Sequence, residues 1–251
     1  MTQFEPGWRS PSTGRYGVPM AAWRTPQPAT LLRATMPSIL PVVGDADRRV
    51  LDLGCGDGET LEALPLPAGA VRVGMDVDAG AVKTGAHQRW AAVRFVVGDG
   101  HALPLTSGSF DLVISRVAVP YMDIPVALGE VSRVLRGGGR VWMTLHPLRM
   151  AATRILASLK AARIVDVVYQ SYAVANGLAL AYLGRQFRFP LKRSRIESVQ
   201  TLQGAVRALS DAGFSDIQFE RRSRGPGHED ADARYGPVFV VAARKPLPGE
   251  R

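Results

Sequence analysis

Three glycines alternate with other residues in Val50-Leu-Asp52-Leu-Gly54-Cys-Gly56-Asp-Gly58-Glu-Thr60, directly after a short apolar run. Glycine accepts positive φ and lets a ligand lie against bare backbone, so this turn is suited to close approach. Asp52 stands two residues before the first glycine, where a carboxylate suits a cationic part of a ligand. The spacing is G-x-G-x-G. A dinucleotide fingerprint would need its third glycine where Glu59 stands, and no Gly-Lys-Ser/Thr follows to make a phosphate loop. Two further acids end apolar runs, Asp76 in Gly74-Met-Asp76-Val77-Asp78 and Asp99 in Val97-Gly-Asp99-Gly100-His101. An ionised carboxylate offers two acceptor oxygens and can hold a diol or an amine. Each acid taken alone has a structural alternative: Asp52 could cap the next turn and Asp76 could simply end its strand. His101 and His146 are candidate bases should the reaction deprotonate a hydroxyl, and His146 is the preferred one. The structural alternative for His146, which precedes Pro147, is shaping a strand exit. Asp57 and Asp78 read as turn or cap residues, Asp111 as support for a strand start, and Cys55 as a small packed residue with no base beside it.

These residues need elements that bring them to one edge. From Arg49 the chain alternates short apolar runs (Val50–Leu53, Val71–Met75, Val93–Val97, Phe110–Ser115, Arg140–Leu145) with helical stretches, notably Ala79–Trp90 and Ile124–Leu135. That rhythm predicts parallel strands with crossover helices. Gly137-Gly138-Gly139 is read as ending a helix and turning the chain into the fifth strand. Glu197–Ala212 reads as a helix stopped by Gly213, followed by strands Asp216–Glu220 and Val238–Ala243. In such open sheets ligands bind at the carboxyl ends of the strands, where the glycine turn must sit. The expected fold is α/β, a Rossmann-like, seven-stranded, mostly parallel sheet with an antiparallel last strand. Helices cover both faces, and a helical lid is inserted at 146–196. Residues 1–44, with seven prolines among 1–48, read as an N-terminal arm with one helix at Ala29–Leu40. Residues 45–145 and 197–246 form the main domain.

At Asp52–Gly58 the chain resembles the class I S-adenosylmethionine-dependent methyltransferases, of the small-molecule, type 11-like group, whose first motif is an acid followed by G-x-G-x-G. The resemblance extends in order through Gly74–Asp78, Val97–Pro104 and Ser109-Phe110-Asp111. It continues through Glu130–Arg140, whose glycines precede the fifth strand, then Leu209–Phe214 and Val238–Pro246. It spans about residues 45–145 and 198–246. It implies S-adenosylmethionine as cofactor and no metal. Gly54, Gly56 and Gly58 would allow close approach, Asp52 would meet the ammonium of the amino acid tail, and Asp76 the ribose diol. Asp99 would accept from the adenine amine, with Gly100 and His101 in the same loop; Val77 and Ser115 complete the implied cofactor set. The implied reaction is in-line displacement at an activated methyl, so alignment and exclusion of water matter more than a fixed catalytic group.

The insertion offers Tyr169, Tyr172, Tyr182 and Phe187 among Ala, Leu and Val residues, an apolar wall with hydroxyl tips. With Tyr121 and His146, Tyr172 and Tyr182 are the candidate acceptor residues. They point to a small, hydrophobic or aromatic metabolite as acceptor; a structural alternative is helices that merely cover the sheet. The 251 residues carry a net charge of +9, with basic runs at Arg185–Arg195 and Arg221-Arg222-Ser-Arg224. That surface attracts polyanions and keeps a nucleic-acid methyltransferase as the alternative. Against it, Ser115-Arg-Val-Ala-Val-Pro120-Tyr121 lacks the Asn/Asp-Pro-Pro-aromatic motif of base-methylating relatives. A cofactor-binding protein without activity is a third reading. The single cysteine excludes an internal disulfide, Met1–Ser10 has no signal-like apolar run, and Ile164–Leu183 is broken by Asp166, Gln170 and Asn176. A cytoplasmic protein without a spanning helix is expected, with peripheral membrane contact through the lid as a further option.

Overall fold

The structure, a computed structural model, describes residues 40–87, 93–190, 196–220 and 239–250. Its strands are β1 (Arg49–Leu53), β2 (Val71–Asp76), β3 (Val93–Val97), β4 (Phe110–Ser115), β5 (Leu135–Leu145), β6 (Ser215–Glu220) and β7 (Phe239–Arg244). Its helices are α1 (Glu59–Ala63), α2 (Ala79–His87), α3 (Ile124–Val134), α4 (Leu148–Lys160), α5 (Ile164–Leu183) and α6 (Leu202–Asp211), with a 3₁₀ turn at Val119–Tyr121. They form one seven-stranded sheet in the order β3-β2-β1-β4-β5-β7-β6. The first five strands run parallel, and β7 runs antiparallel to both β5 and β6. The expected α/β fold with helices on both faces is therefore the observed one.

Alternation along the strands divides the core. Leu51, Leu53, Val113, Val141 and Met143 face α3 and α6 together with Leu128, Val131, Ala208 and Leu209. Val50, Leu112, Ile114 and Trp142 face the other way, against Leu61, Ala63 and Leu64 of the α1 region. The connections after β1 and β4 thus leave the sheet on opposite sides. Their divergence opens a crevice at adjacent strand ends, the usual ligand position in such sheets.

Three sequence expectations shift. The fifth strand begins at Leu135 immediately after α3, and Gly137–Gly139 lie inside it; Gly138, at φ +76°, donates its N–H to the Lys245 carbonyl (2.9 Å). The last of the long helices starts at Leu202, because Glu197–Gln200 is held extended by remote partners. Val199 N–H donates to Ala173 O (3.1 Å) and Gln200 N–H to His146 O (2.6 Å), while the Thr201 hydroxyl accepts from Gly204 N–H and caps the helix. The sixth strand begins one residue early, at Ser215. The second helix is seen to His87, and 88–90, like the arm helix before Leu40 and Val238, lie outside the described residues, as do 191–195 and 221–224.

Asp111 does support a strand start. Its carboxylate accepts the Arg48 and Arg49 N–H groups (2.8 and 2.7 Å) and pairs with Arg136 (2.8 Å), fixing where β1 enters. The helix α5 is by length and composition apolar enough to cross a membrane, but Tyr169, Gln170, Ala173, Asn176, Gly177, Leu180 and Ala181 are buried against the protein. Asn176, which interrupts the apolar run, explains itself here. Its amide donates to the Glu197 carbonyl (3.0 Å) and accepts from Phe187 N–H (2.6 Å), clamping the chain on both sides of the helix. At Gly177 the Val199 carbonyl lies where a Cβ would be, so only glycine admits this approach.

Candidate active site

The glycine turn is docked by its own backbone. Gly54 and Cys55 N–H groups both donate to the Met75 carbonyl (2.8 and 3.0 Å), and Gly54, Gly56 and Gly58 adopt φ of +78°, +57° and +89°. L-residues other than glycine pay about 1–2 kcal/mol there. A Cβ on Gly56 would meet nothing, so the turn is open on that side, whereas Gly54 is in close contact with the methyl of Ala118 from the β4 connection. Asp76 ties the turn to β2: its two oxygens accept from Gly56 N–H (2.8 Å) and Asp78 N–H (2.9 Å), one each, leaving lone pairs on both. Val77 next to it is exposed.

Asp52 lies on the α1 side of the sheet and is 1% exposed. Among the described residues neither of its oxygens has a hydrogen-bond partner. Burial raises its pKa from an ordinary 3.8 to about 7; the Arg116 charge opposes the shift and Asp76 adds to it. Arg116, at the end of β4, donates to the Thr60 hydroxyl of α1 (2.9 Å) and so sets a cation close to this acid. Cys55 is buried, and burial together with Asp52 and Asp76 drives its thiol far from ionisation, so it stays a packed thiol.

On the other flank, Asp99 Oδ1 accepts both His101 N–H (3.0 Å) and Nδ1–H (2.6 Å). Nε2 of that ring accepts Asp123 N–H (2.8 Å), which puts the ring proton on Nδ1. Both nitrogens of His101 are thereby engaged, and the imidazole bridges the Asp99 loop to the start of α3. Gly100 fits beneath Met122. Ser115 is buried and donates to the Leu53 carbonyl (2.8 Å), fastening the ends of β4 and β1. Beyond it Val117 has φ +60°, rare for a β-branched residue, and donates its N–H to the buried Thr144 hydroxyl (2.8 Å).

The acceptor candidates divide. Tyr121 and His146 meet edge to face at 5.4 Å, and His146 is buried at the end of β5. The insertion is fastened beside them. Gln186 accepts Ile124 N–H (2.6 Å) and donates to Ser198 Oγ (2.6 Å), Gln200 donates to the same hydroxyl (2.6 Å), and Ser198 N–H donates to Pro120 O (3.0 Å). Tyr172 packs with Tyr169 and Phe189, and its hydroxyl donates to the Phe187 carbonyl (2.5 Å), a structural use. Tyr182 is 66% exposed on the outer face of α5 and does not join this group, because the helical period turns it away from its buried neighbours Leu180 and Ala181. Arg116, Thr144, Gln186, Ser198 and Gln200 were not anticipated. Arg116, a cation directly after the strand Phe110–Ser115, was the one with a visible signal.

Comparison with known proteins agrees with this architecture. The model of the methyltransferase domain family matches residues 51–143. The malonyl-[acyl-carrier protein] O-methyltransferase of Enterobacter lignolyticus is 31% identical over 179 residues, 70% of this chain and 68% of that protein. The demethylmenaquinone methyltransferase of Renibacterium salmoninarum is 26% identical over 185 residues, 71% of each. A solved S-adenosylmethionine-dependent methyltransferase of Methanosarcina mazei shares the fold, with a TM-score of 0.54 and 16% identity over 82% of this chain and 95% of that one. The chain belongs to the methyltransferase domain family. It is an S-adenosylmethionine-dependent methyltransferase.

Proposed function

We propose that the enzyme methylates a small, apolar acceptor held between Tyr121, His146 and the inserted helices. The observation that carries this reading is the attachment of the insertion to the strand ends. Gln186, Ser198 and Gln200 link it to α3, Pro120 and the His146 carbonyl, so residues 146–190 and 196–200 would wall the edge on which the family places its acceptor. The relatives' names support an acceptor other than nucleic acid, since one is named for malonyl-acyl-carrier protein and another for demethylmenaquinone.

The residues present fit the cofactor. Asp52, a buried acid without a hydrogen-bond partner among the described residues, would receive the tail ammonium, and the open backbone at Gly56 would admit the chain behind it. Asp76 keeps lone pairs for a ribose diol. Asp99 and Gly100 would face the adenine, with His101 holding the Asp99 carboxylate in place rather than acting as a base. Bound S-adenosylmethionine would supply an activated methyl on a sulfonium, with the sulfide as its leaving group. The protein's work is to orient the acceptor and exclude water, and His146 would take a proton when the acceptor is a hydroxyl.

Incubation of the full chain with methyl-labelled cofactor and fractionated metabolite pools, alongside total RNA, tests the reading. Label in an apolar small-molecule fraction is expected. Label confined to RNA, lost as salt rises, would refute it in favour of nucleic acid.

A further inference from the structure

The outer face of α5 carries a largely apolar stripe, whose polar groups are the Ser171 and Tyr182 hydroxyls. Ile164, Val168, Ser171, Ala175, Leu178 and Tyr182 follow at steps of four, three, four, three and four, and all six are exposed. Beside it Val165 is 73% exposed and Leu183 57%, and Leu156 and Leu159 at the end of α4 exceed half. A helix of twenty residues is about 30 Å long, so the stripe is too large to be scattered surface leucine and valine.

Charge identifies what meets it. Lys160 and Arg163 are exposed at the amino end of α5, and Arg185 and Arg188 follow its carboxyl end. Arg207 donates to the Ala181 and Tyr182 carbonyls there. The acids nearby are Asp166, paired with Arg163, and Asp211, paired with Arg207. Cations therefore stand at both ends of the stripe. A second copy of the chain, packed parallel or antiparallel on this face, would set cation against cation at each end. An anionic bilayer meets both ends with opposite charge and receives the apolar residues between them. Phe187, 47% exposed with the Arg185 guanidinium 5.4 Å from its ring centre, and Tyr182 have the amphipathic rings favoured at a headgroup boundary.

We infer that the α4–α5 hairpin docks the enzyme on anionic membrane surface, with α5 lying in the interface. Helix α5 continues into residues 184–190, which Gln186 and Asn176 fasten beside the strand ends, so on the proposed placement of the acceptor docking would set that side of the enzyme near the bilayer.

Co-sedimentation of the full chain with vesicles tests this. Phosphatidylcholine with about 30% phosphatidylglycerol is compared with phosphatidylcholine alone, at about 0.1 M salt where surface charge acts over roughly 10 Å. Retention at least tenfold stronger on the anionic vesicles is expected, reduced at high salt. Val168→Asp and, separately, Lys160→Glu with Arg163→Glu should each weaken it tenfold or more, while the melting temperature and affinity for S-adenosylhomocysteine stay unchanged. Those two controls separate loss of docking from loss of fold. Absence of retention on either vesicle would overturn the inference, as would a doubling of mass in lipid-free solution that Val168→Asp abolishes. The identity of the acceptor is decided by the labelling experiment and does not enter this one.

Discussion

Asp52→Asn tests the central feature of the site, a buried acid kept beside the glycine turn. With a native pKa of about 7 against an ordinary 3.8, the folded protein holds a proton between those values that the unfolded chain has released. Stability therefore falls as pH rises, since the state binding fewer protons gains. The full shift corresponds to about 4 kcal/mol, and the part falling between about pH 5 and pH 8 is about 2.5 kcal/mol. Asparagine has no such titration. Urea unfolding of the cofactor-free protein at the two pH values should show the wild type losing about 2.5 kcal/mol more than the variant. Saturating S-adenosylhomocysteine should shrink that difference, because its ammonium favours the ionised acid. Equal pH dependence in wild type and variant would refute the reasoning, since it would mean that Asp52 is ionised in the empty protein and compensated by Arg116.

Asp76→Ala should weaken cofactor binding by about 1–3 kcal/mol in calorimetric titration with S-adenosylhomocysteine, the range for hydrogen bonds to a charged group; unchanged affinity would remove Asp76 from the site. Gly54→Ala combines a left-handed φ with a collision against the Ala118 methyl and should cost about 2–5 kcal/mol in chemical denaturation, whereas Gly56→Ala, with open space around it, should cost only about 1–2. Equal costs at the two glycines would show that the β4 connection yields freely.

Where periodicity is local, the sequence was readable. The five parallel strands, the two crossover helices and the turn at Asp52–Gly58 follow from short apolar runs punctuated by glycine and acid, each readable within a dozen residues. The stretch Glu197–Gln200 was misread as helix because its conformation is set by Ala173, Asn176 and His146, residues 21 to 54 positions away in the chain. Tyr182 was misplaced for a related reason. Its type suits a binding wall, but which side of α5 is covered depends on where α4 and α6 pack, and no feature within the helix states that. The pairing of Arg116 with the neighbourhood of Asp52 arises only from the adjacency of β1 and β4, a fact of strand order rather than of either segment.

Val117 links parts of the enzyme that are usually considered apart. Its unfavourable φ is sustained by one bond that its N–H donates to the Thr144 hydroxyl, in the strand that ends at Leu145, and the next residue, Ala118, lies against Gly54. A displacement of the β5 end would therefore reach the glycine turn through two residues, Val117 and Ala118. Evolution or engineering that alters residue 118 must keep it as small as alanine, or move the loop that it leans upon.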